Sequence, residues 1–142
     1  MLKIIVNNME RTIKFSGYNR KNKQWLYGFY LQNRGAYFVC PDEFATGKSW
    51  DDYEIEPETL GQFTGLTDKN GREIYEGDIV LTYDVRCPYR INYQHGIWVL
   101  IDADCNWIGF TEEFNEIGIR SKIETTEVIG NIYENSELLN KD

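Results

Sequence analysis

The stretch TDKNGREIYEGDIV, Thr67 to Val80, sets the local architecture around which the rest of the chain can be read. Its turn signal lies at Asp68–Gly71, because Asn and Gly tolerate the positive φ that tight turns demand. Residues 72–75 then read as the returning strand of a hairpin. Gly77 permits a bend or bulge that a Cβ would hinder. Asp78 follows at the start of the next strand, where its carboxylate can accept backbone N–H groups, so the stretch predicts a hairpin and a bend rather than a chemical site.

Outward from this stretch, most of the chain shows the period-two pattern of β-strands. Two such segments flank the polar turn at residues 19–23, with Ile13 and Phe15 before it and Trp25, Tyr27 and Phe29 on one face after it. We therefore predict a hairpin here. Further strands are predicted at 36–40, around 79–83, on both sides of an Asp/Asn turn within 96–110, and within 125–135. Three other segments are predicted as a polar acidic connection (41–58), a loop (84–95) and one helical turn capped by Ser136.

Short strands every eight to twelve residues predict a mainly β protein, with short antiparallel strands forming a small barrel or sandwich and at most short helical segments. The length of 142 residues fits a single domain, which can be divided into an N-terminal β subdomain, 1–56, and a C-terminal small β-barrel subdomain, 57–142. Open sheets must protect their edges or pair them with another subunit. So many aromatic strands in so short a chain predict a homo-oligomer.

The net charge of -8 is unevenly distributed along the chain. Residues 1–40 hold seven Lys and Arg against one acid, whereas residues 41–142 hold 22 acids against eight bases. We expect the basic part to lie against the acidic remainder, in the same chain or in a neighbouring copy. Two alternatives stay open, a phosphate-binding basic face and an acidic surface that mimics DNA.

Composition also bears on the compartment. No apolar run approaches the roughly 20 residues that a membrane-spanning helix needs. The first ten residues lack the apolar core and cleavage site of a secretory signal. Three cysteines with wide spacing argue against a disulfide framework and for a reducing environment. These features predict a cytoplasmic protein with no membrane partner.

Two local patterns resemble ligand sites and depart from them at a required position. Thr46–Ser49 reads TGKS, but the glycine of a phosphate loop that should precede Gly47 by five residues is Asp42. The calcium-loop spacing falls on Asp102, Asp104, Asn106 and Glu113, but Trp107 stands where that loop requires glycine, and strands flank it instead of helices. We expect a solvated loop and an acidic β-turn, respectively.

No catalytic or metal-binding set can be assembled from the remaining candidates. Cys40, Cys87, Cys105 and His95 could supply four zinc ligands, but none has the short spacing of structural zinc sites. His95 is the only histidine and no nucleophile motif accompanies it. With 23 carboxylates, no glycosidase-type pair can be named. The sequence therefore predicts a protein that is not an enzyme, with no catalytic, cofactor-binding or metal-binding residue.

One surface could bind nucleic acid. Trp25 and Tyr27, with Lys21 and Lys23 nearby, resemble a stacking platform with a basic rim, as used for single strands. Aromatic residues also dominate cores and subunit interfaces. We favour packing for these rings and keep nucleic-acid binding through Lys21, Lys23, Trp25 and Tyr27 as the alternative.

Three segments together resemble the YopX family of bacteriophage and prophage proteins. These are IKFSGYNRKNKQWLYG (Ile13–Gly28), IEPETLGQFTGLTDKNGREIYEGDIV (Ile55–Val80) and EVIGNIYENSELL (Glu127–Leu139). The second is the most specific, and residues 81–126 carry none of the family's motifs. The resemblance implies a small cytoplasmic phage protein with oligomeric assembly, and it brings no catalytic residue with it. Our functional prediction is a non-enzymatic, homo-oligomeric binding module that acts on a host or phage protein.

Overall fold

The computed structural model describes residues 12–82, 87–109 and 125–140. These residues form two antiparallel five-stranded sheets in a sandwich-like arrangement. The strands of the first sheet are β1 (Phe15–Asn19), β2 (Gln24–Asn33), β3 (Ala36–Cys40), β4 (Gly61–Thr67) and β5 (Glu73–Tyr75). Those of the second sheet are β6 (Asp78–Leu81), β7 (Pro88–Gln94), β8 (Ile97–Ile101), β9 (Trp107–Gly109) and β10 (Glu127–Asn131).

The spatial order of the strands is β3-β2-β1-β4-β5 in the first sheet and β10-β6-β7-β8-β9 in the second. The prediction of a mainly β protein is confirmed, and of its two forms the sandwich is the one observed, since the described strands do not close into a barrel. The only helices in the described ranges are 3₁₀ turns at Trp50–Asp52, Pro57–Thr59 and Ser136–Leu139. The division between the two sheets falls at residues 76–77, because β4 and β5 belong to the first sheet and β6 to the second.

The predicted hairpin around residues 19–23 is confirmed as β1 and β2. Tyr18 pairs with Trp25, and Ser16 pairs with Tyr27. Directly opposed residues of an antiparallel pair project to the same side of the sheet. The register therefore places these four side chains together on one face, and that face carries the site described below.

Asp68 links the hairpin of residues 67–75 to the second sheet. The turn has the predicted form, with Gly71 at φ 79° and its N–H donating to the Asp68 carbonyl at 3.0 Å. The buried Asp68 carboxylate accepts backbone N–H groups from Asn70 at 2.8 Å and Arg72 at 2.9 Å. A third bond comes from Val128 of β10 at 3.0 Å. The turn is thereby fixed to a strand that lies 60 residues further along the chain.

One cluster of buried hydrophobic residues lies mainly within the second sheet and takes one residue from β5. Its members are Ile74, Val80, Tyr89, Ile91, Leu100 and Val128. Ile74 is fully buried among side chains of the second sheet, so apolar packing holds the hairpin against that sheet. In β5, Ile74 projects into this core, and its neighbour Tyr75 projects to the opposite side, since successive strand residues alternate.

Two local predictions are wrong. Residues 84–95 were expected to be a loop, but Pro88–Gln94 form the strand β7 at the centre of the second sheet. Tyr89 and Ile91 alternate into the core, and Pro88 is the first residue of the strand, a position where proline is tolerated. In the last 3₁₀ turn, Asn135 rather than Ser136 occupies the N-cap position, and it makes no side-chain cap bond.

The expected pairing of the basic N-terminal part with the acidic remainder is confirmed within one chain. Lys14 forms an ion pair with Glu73, and Arg20 forms one with Glu56. Lys21 lies 3.0 Å from Asp52. Across the described ranges, no helix is both long and apolar enough to cross a membrane.

Candidate functional site

A cavity of about 270 Å³ opens where the face of β1 and β2 meets the connection from β5 to β6 and the segment that follows β10. Its aromatic lining comes from Trp25, Tyr27, Tyr75 and Tyr133. Its polar lining comprises Ser16, Arg72, Glu73, Glu76, Asp78, Asn131 and Glu134. Both sheets therefore contribute to its walls.

The aromatic rings form two contacting pairs. The centroids of Trp25 and Tyr133 are 5.7 Å apart, and those of Tyr27 and Tyr75 are 5.2 Å apart. Tyr27 is 49% exposed and Tyr133 37% exposed, so both rings are accessible to a ligand at the mouth. Burial raises the pKa of the Tyr27, Tyr75 and Tyr133 hydroxyls, which keeps them neutral at physiological pH.

Gly77 lets the Tyr133 ring approach the β5–β6 connection. Its φ is 87°, and a Cβ at this position would lie 3.0 Å from the Tyr133 ring. Its N–H donates to the Ile91 carbonyl at 2.9 Å, and its carbonyl accepts the N–H of Ile132 at 2.8 Å. The predicted bend at Gly77 is confirmed, and the bend also positions a wall of the cavity.

Asp78 follows this connection directly, as the first residue of β6. Its Oδ2 accepts the backbone N–H of Tyr75 at 2.8 Å, as the sequence predicts. Burial raises the pKa of the Asp78 carboxyl to about 6, and the bond from Tyr75 and the charge of Arg72 only partly oppose this. Burial also raises the pKa of Glu76. Of the carboxylates in the lining, these two have a raised pKa.

The other two carboxylates are held in place by hydrogen bonds. Glu73 accepts the Tyr75 hydroxyl at 2.7 Å and is paired with Lys14. Glu134 Oε2 accepts the indole N–H of Trp25 at 3.0 Å and the side-chain amide of Asn131 at 2.9 Å. The bond from Trp25 fixes its ring plane against the cavity.

The four residues of the predicted nucleic-acid surface do not all line the same cavity. Trp25 and Tyr27 line the acidic cavity. Lys21 lines a second cavity of about 290 Å³ beside the β1–β2 turn, where it is paired with Asp51 and Asp52. Lys23 is exposed in the turn and makes no ion pair with the described part of the chain.

The remaining sequence candidates lie away from the cavity. His95 is exposed in the β7–β8 turn, and Cys40, Cys87 and Cys105 are separate free thiols. Asp102 Oδ1 accepts the N–H groups of Asp104 and Asn106, which confirms the acidic turn, while Glu113 lies outside the described residues. Within the described ranges, no group of three His, Cys, Asp or Glu side chains has an arrangement that could hold a metal ion.

Comparison with known proteins assigns the family. The family model described as YopX protein matches residues 14–140. The chain belongs to the YopX family. This YopX-family protein is also similar to a solved structure, the crystal structure of protein EF1440 from Enterococcus faecalis, with 26% sequence identity and a TM-score of 0.52. The similarity covers 91% of this chain and 99% of that one. No functionally curated protein matches significantly.

The described residues that line the cavity all fall in the three segments on which the YopX resemblance rests. Ile13–Gly28 supplies Ser16, Trp25 and Tyr27. Ile55–Val80 supplies five of the seven residues from Arg72 to Asp78, all except Ile74 and Gly77. Glu127–Leu139 supplies the rest. Sequence reasoning on single motifs missed Glu76, Tyr133 and Glu134.

Proposed function

We propose that the protein is a non-enzymatic binding module of phage or prophage origin, working in the cytoplasm on a host or phage protein. A segment of that partner enters the cavity between the sheets. The supporting observation is the convergence of the three YopX segments on one open, aromatic cavity. Pockets that combine apolar walls with a few convergent polar groups are the usual form of a binding site.

The contents of the cavity favour binding over catalysis. Glu76 and Asp78, whose pKa values are raised, could serve as acid or base. The candidate nucleophile in the lining is Ser16, but its hydroxyl donates to the Gly61 carbonyl at 3.5 Å and not to either carboxylate. The only histidine of the chain is in the β7–β8 turn. A nucleophile needs an adjacent, oriented base.

The partner-binding step can be tested by affinity purification of the tagged full chain from host cells, with nuclease treatment to separate protein partners from nucleic acid. We expect a protein partner to be retained by the wild type and by Tyr93→Ala, and lost with Tyr27→Ala and Tyr133→Ala. Tyr93 is the matched control, because it is a 52% exposed tyrosine on β7 outside the cavity. Equal recovery with all four proteins would refute a role for the cavity, and retention that depends on nucleic acid would favour the alternative.

We also propose that the protein self-associates. Exposed apolar side chains cluster on the first sheet and the following connection, where Phe29 and Leu31 are 42% and 37% exposed and Phe44 and Trp50 are 54% and 56% exposed. Phe44 contacts both Phe29 and Trp50. Contiguous apolar patches of this kind mark interaction surfaces. Light scattering at micromolar concentration should give a mass above that of one chain, and a strict monomer would refute the proposal.

A further inference from the structure

The aromatic residues that line the cavity give the first indication of the kind of ligand it would bind. The rings of Trp25, Tyr27 and Tyr133 line the cavity, and the Trp25 ring is held by its bond to Glu134. The face of an aromatic ring is negative in its quadrupole, so it attracts a cation placed over it. A cavity with several such rings favours an organic cation over an anion.

The carboxylates of the lining give the second indication of the ligand's charge. Glu73 is already neutralised by Lys14, but Glu76 and Asp78 make no ion pair with any residue in the described ranges. Arg72 is the one cation among the described residues that line the cavity, against four carboxylates. Buried charges are normally paired, because desolvating an unpaired charge is costly. A bound cation would supply the missing partner.

The same features disfavour a phosphate or a nucleic-acid backbone. A phosphate entering the cavity would meet Glu76 and Asp78 with only the Arg72 guanidinium to attract it. Nucleic-acid binding sites instead place several Lys or Arg around the backbone. The charge of the lining therefore selects for a positive ligand.

We infer that the cavity binds an organic cation, the ammonium or guanidinium group of a Lys or Arg side chain on the partner protein. The inference rests on the proposed binding function and specifies its ligand. In this arrangement Glu76 and Asp78 neutralise the charge, while the rings of Trp25, Tyr27 and Tyr133 enclose the alkyl chain and the cationic head.

Isothermal titration of the full chain tests this directly. The probes are Nα-acetyl-lysine amide, its trimethyllysine analogue and Nα-acetyl-arginine amide, with Nα-acetyl-norleucine amide as the uncharged control. We expect saturable binding of at least one cationic probe, and at least about fivefold weaker binding of norleucine. Asp78→Asn and Tyr133→Ala should each weaken cation binding about tenfold, the loss expected for one charge or ring contact near 1.4 kcal/mol. Tyr93→Ala and the exposed Asp42→Asn should leave it unchanged.

Arg72→Gln gives the sharpest test, because it changes the sign of the effect. Its backbone N–H continues to donate to Asp68, so the turn is preserved. Removing the resident positive charge should strengthen cation binding severalfold, whereas it would weaken the binding of an anion. Absence of saturable cation binding, or weaker cation binding by Arg72→Gln, would overturn the inference. If Tyr133→Ala loses the protein partner but the wild type binds no cationic probe, the proposed binding function stands and only the assignment of its ligand is refuted.

Discussion

Replacing Asp78 with asparagine should make the protein more stable while weakening its binding of cations. Asn has nearly the shape of a protonated aspartic acid and carries no charge. Its carbonyl oxygen can still accept the Tyr75 N–H that Asp78 Oδ2 accepts at 2.8 Å. The substitution therefore removes the buried charge and preserves the bond that shapes the β5–β6 connection.

The expected gain in stability follows from the pKa of Asp78, which burial raises from 3.8 to about 6. A group with a raised folded pKa binds more protons in the native state than in the unfolded one. The wild type therefore loses stability as the pH rises from about 4 to about 6. Above that window the ionisation of Asp78 no longer changes the free energy of unfolding. Two pKa units correspond to about 3 kcal/mol. Since Asp78 faces an open cavity, we expect a gain of about 1–3 kcal/mol at neutral pH.

Thermal unfolding followed by circular dichroism at pH 4 and pH 7.5 measures this gain. For a chain of this size, about 1 kcal/mol corresponds to roughly 3 °C in Tm. Asp78→Asn should therefore melt roughly 3–9 °C above the wild type at pH 7.5 and close to it at pH 4. Asp42→Asn is the matched control, because it removes the same charge from an exposed position.

Two results would refute the reasoning. If Asp78→Asn melts below the wild type at pH 7.5, the carboxylate is stabilising and not desolvated. If the difference in Tm is the same at both pH values, the ionisation of Asp78 is not its cause. A gain in stability together with lost cation binding would be the trade-off expected of a functional group kept at the expense of stability.

Three further outcomes follow from the same region. Asp68→Asn should lower the free energy of unfolding by about 2–4 kcal/mol at pH 7. Burial raises the pKa of Asp68, but the N–H bonds lower it further, so its contribution is lost as the pH falls below about 4 and the two melting curves should converge there. Gly77→Ala should lower stability by about 1–2 kcal/mol, because of its positive φ, and should weaken cation binding by displacing the Tyr133 ring, both measurable by melting and titration. Cation affinity should fall about tenfold from pH 8 to pH 5, because Asp78, which has Arg72, Asp68 and Glu76 as its charged neighbours, is protonated over this range. The pH dependence should be weaker in Asp78→Asn, and a wild-type affinity that does not change with pH would contradict the assignment.

Local signals were sufficient to predict most of the strands. The turn residues Asp68–Gly71 and the alternation around Trp25 act over a few positions, and both hairpins were found from them. The strand β7 was missed because Pro88 and its polar neighbours Arg90 and Asn92 resemble a loop. Tyr89 and Ile91 are the residues that matter, since they bury two side chains in the core, and that tertiary gain outweighs weak local propensity.

The cavity could not be predicted from spacing, because its walls come from distant parts of the chain. Trp25 and Glu134 are 109 residues apart and yet hydrogen-bonded. A search for ligands at short spacings finds motifs such as Asp102–Asn106, which proved to be a self-contained turn. The bend at Gly77 decides where the Tyr133 ring meets the other walls, and it is held by backbone bonds to Ile91 and Ile132, which lie further along the chain.

Asp68 and Asp78 show most clearly what the fold adds to the sequence. Both belong to the opening stretch, and sequence reasoning gave Asp78 the structural role of binding backbone N–H groups. Asp68 accepts three such bonds, which lower its pKa despite burial, whereas Asp78 accepts one, which leaves burial dominant and the pKa raised. The number of N–H donors therefore separates a carboxylate whose charge stabilises the fold from one whose charge is disfavoured by burial. Because Asp78 lines the aromatic cavity and forms no ion pair with the described residues, a cationic ligand would supply one.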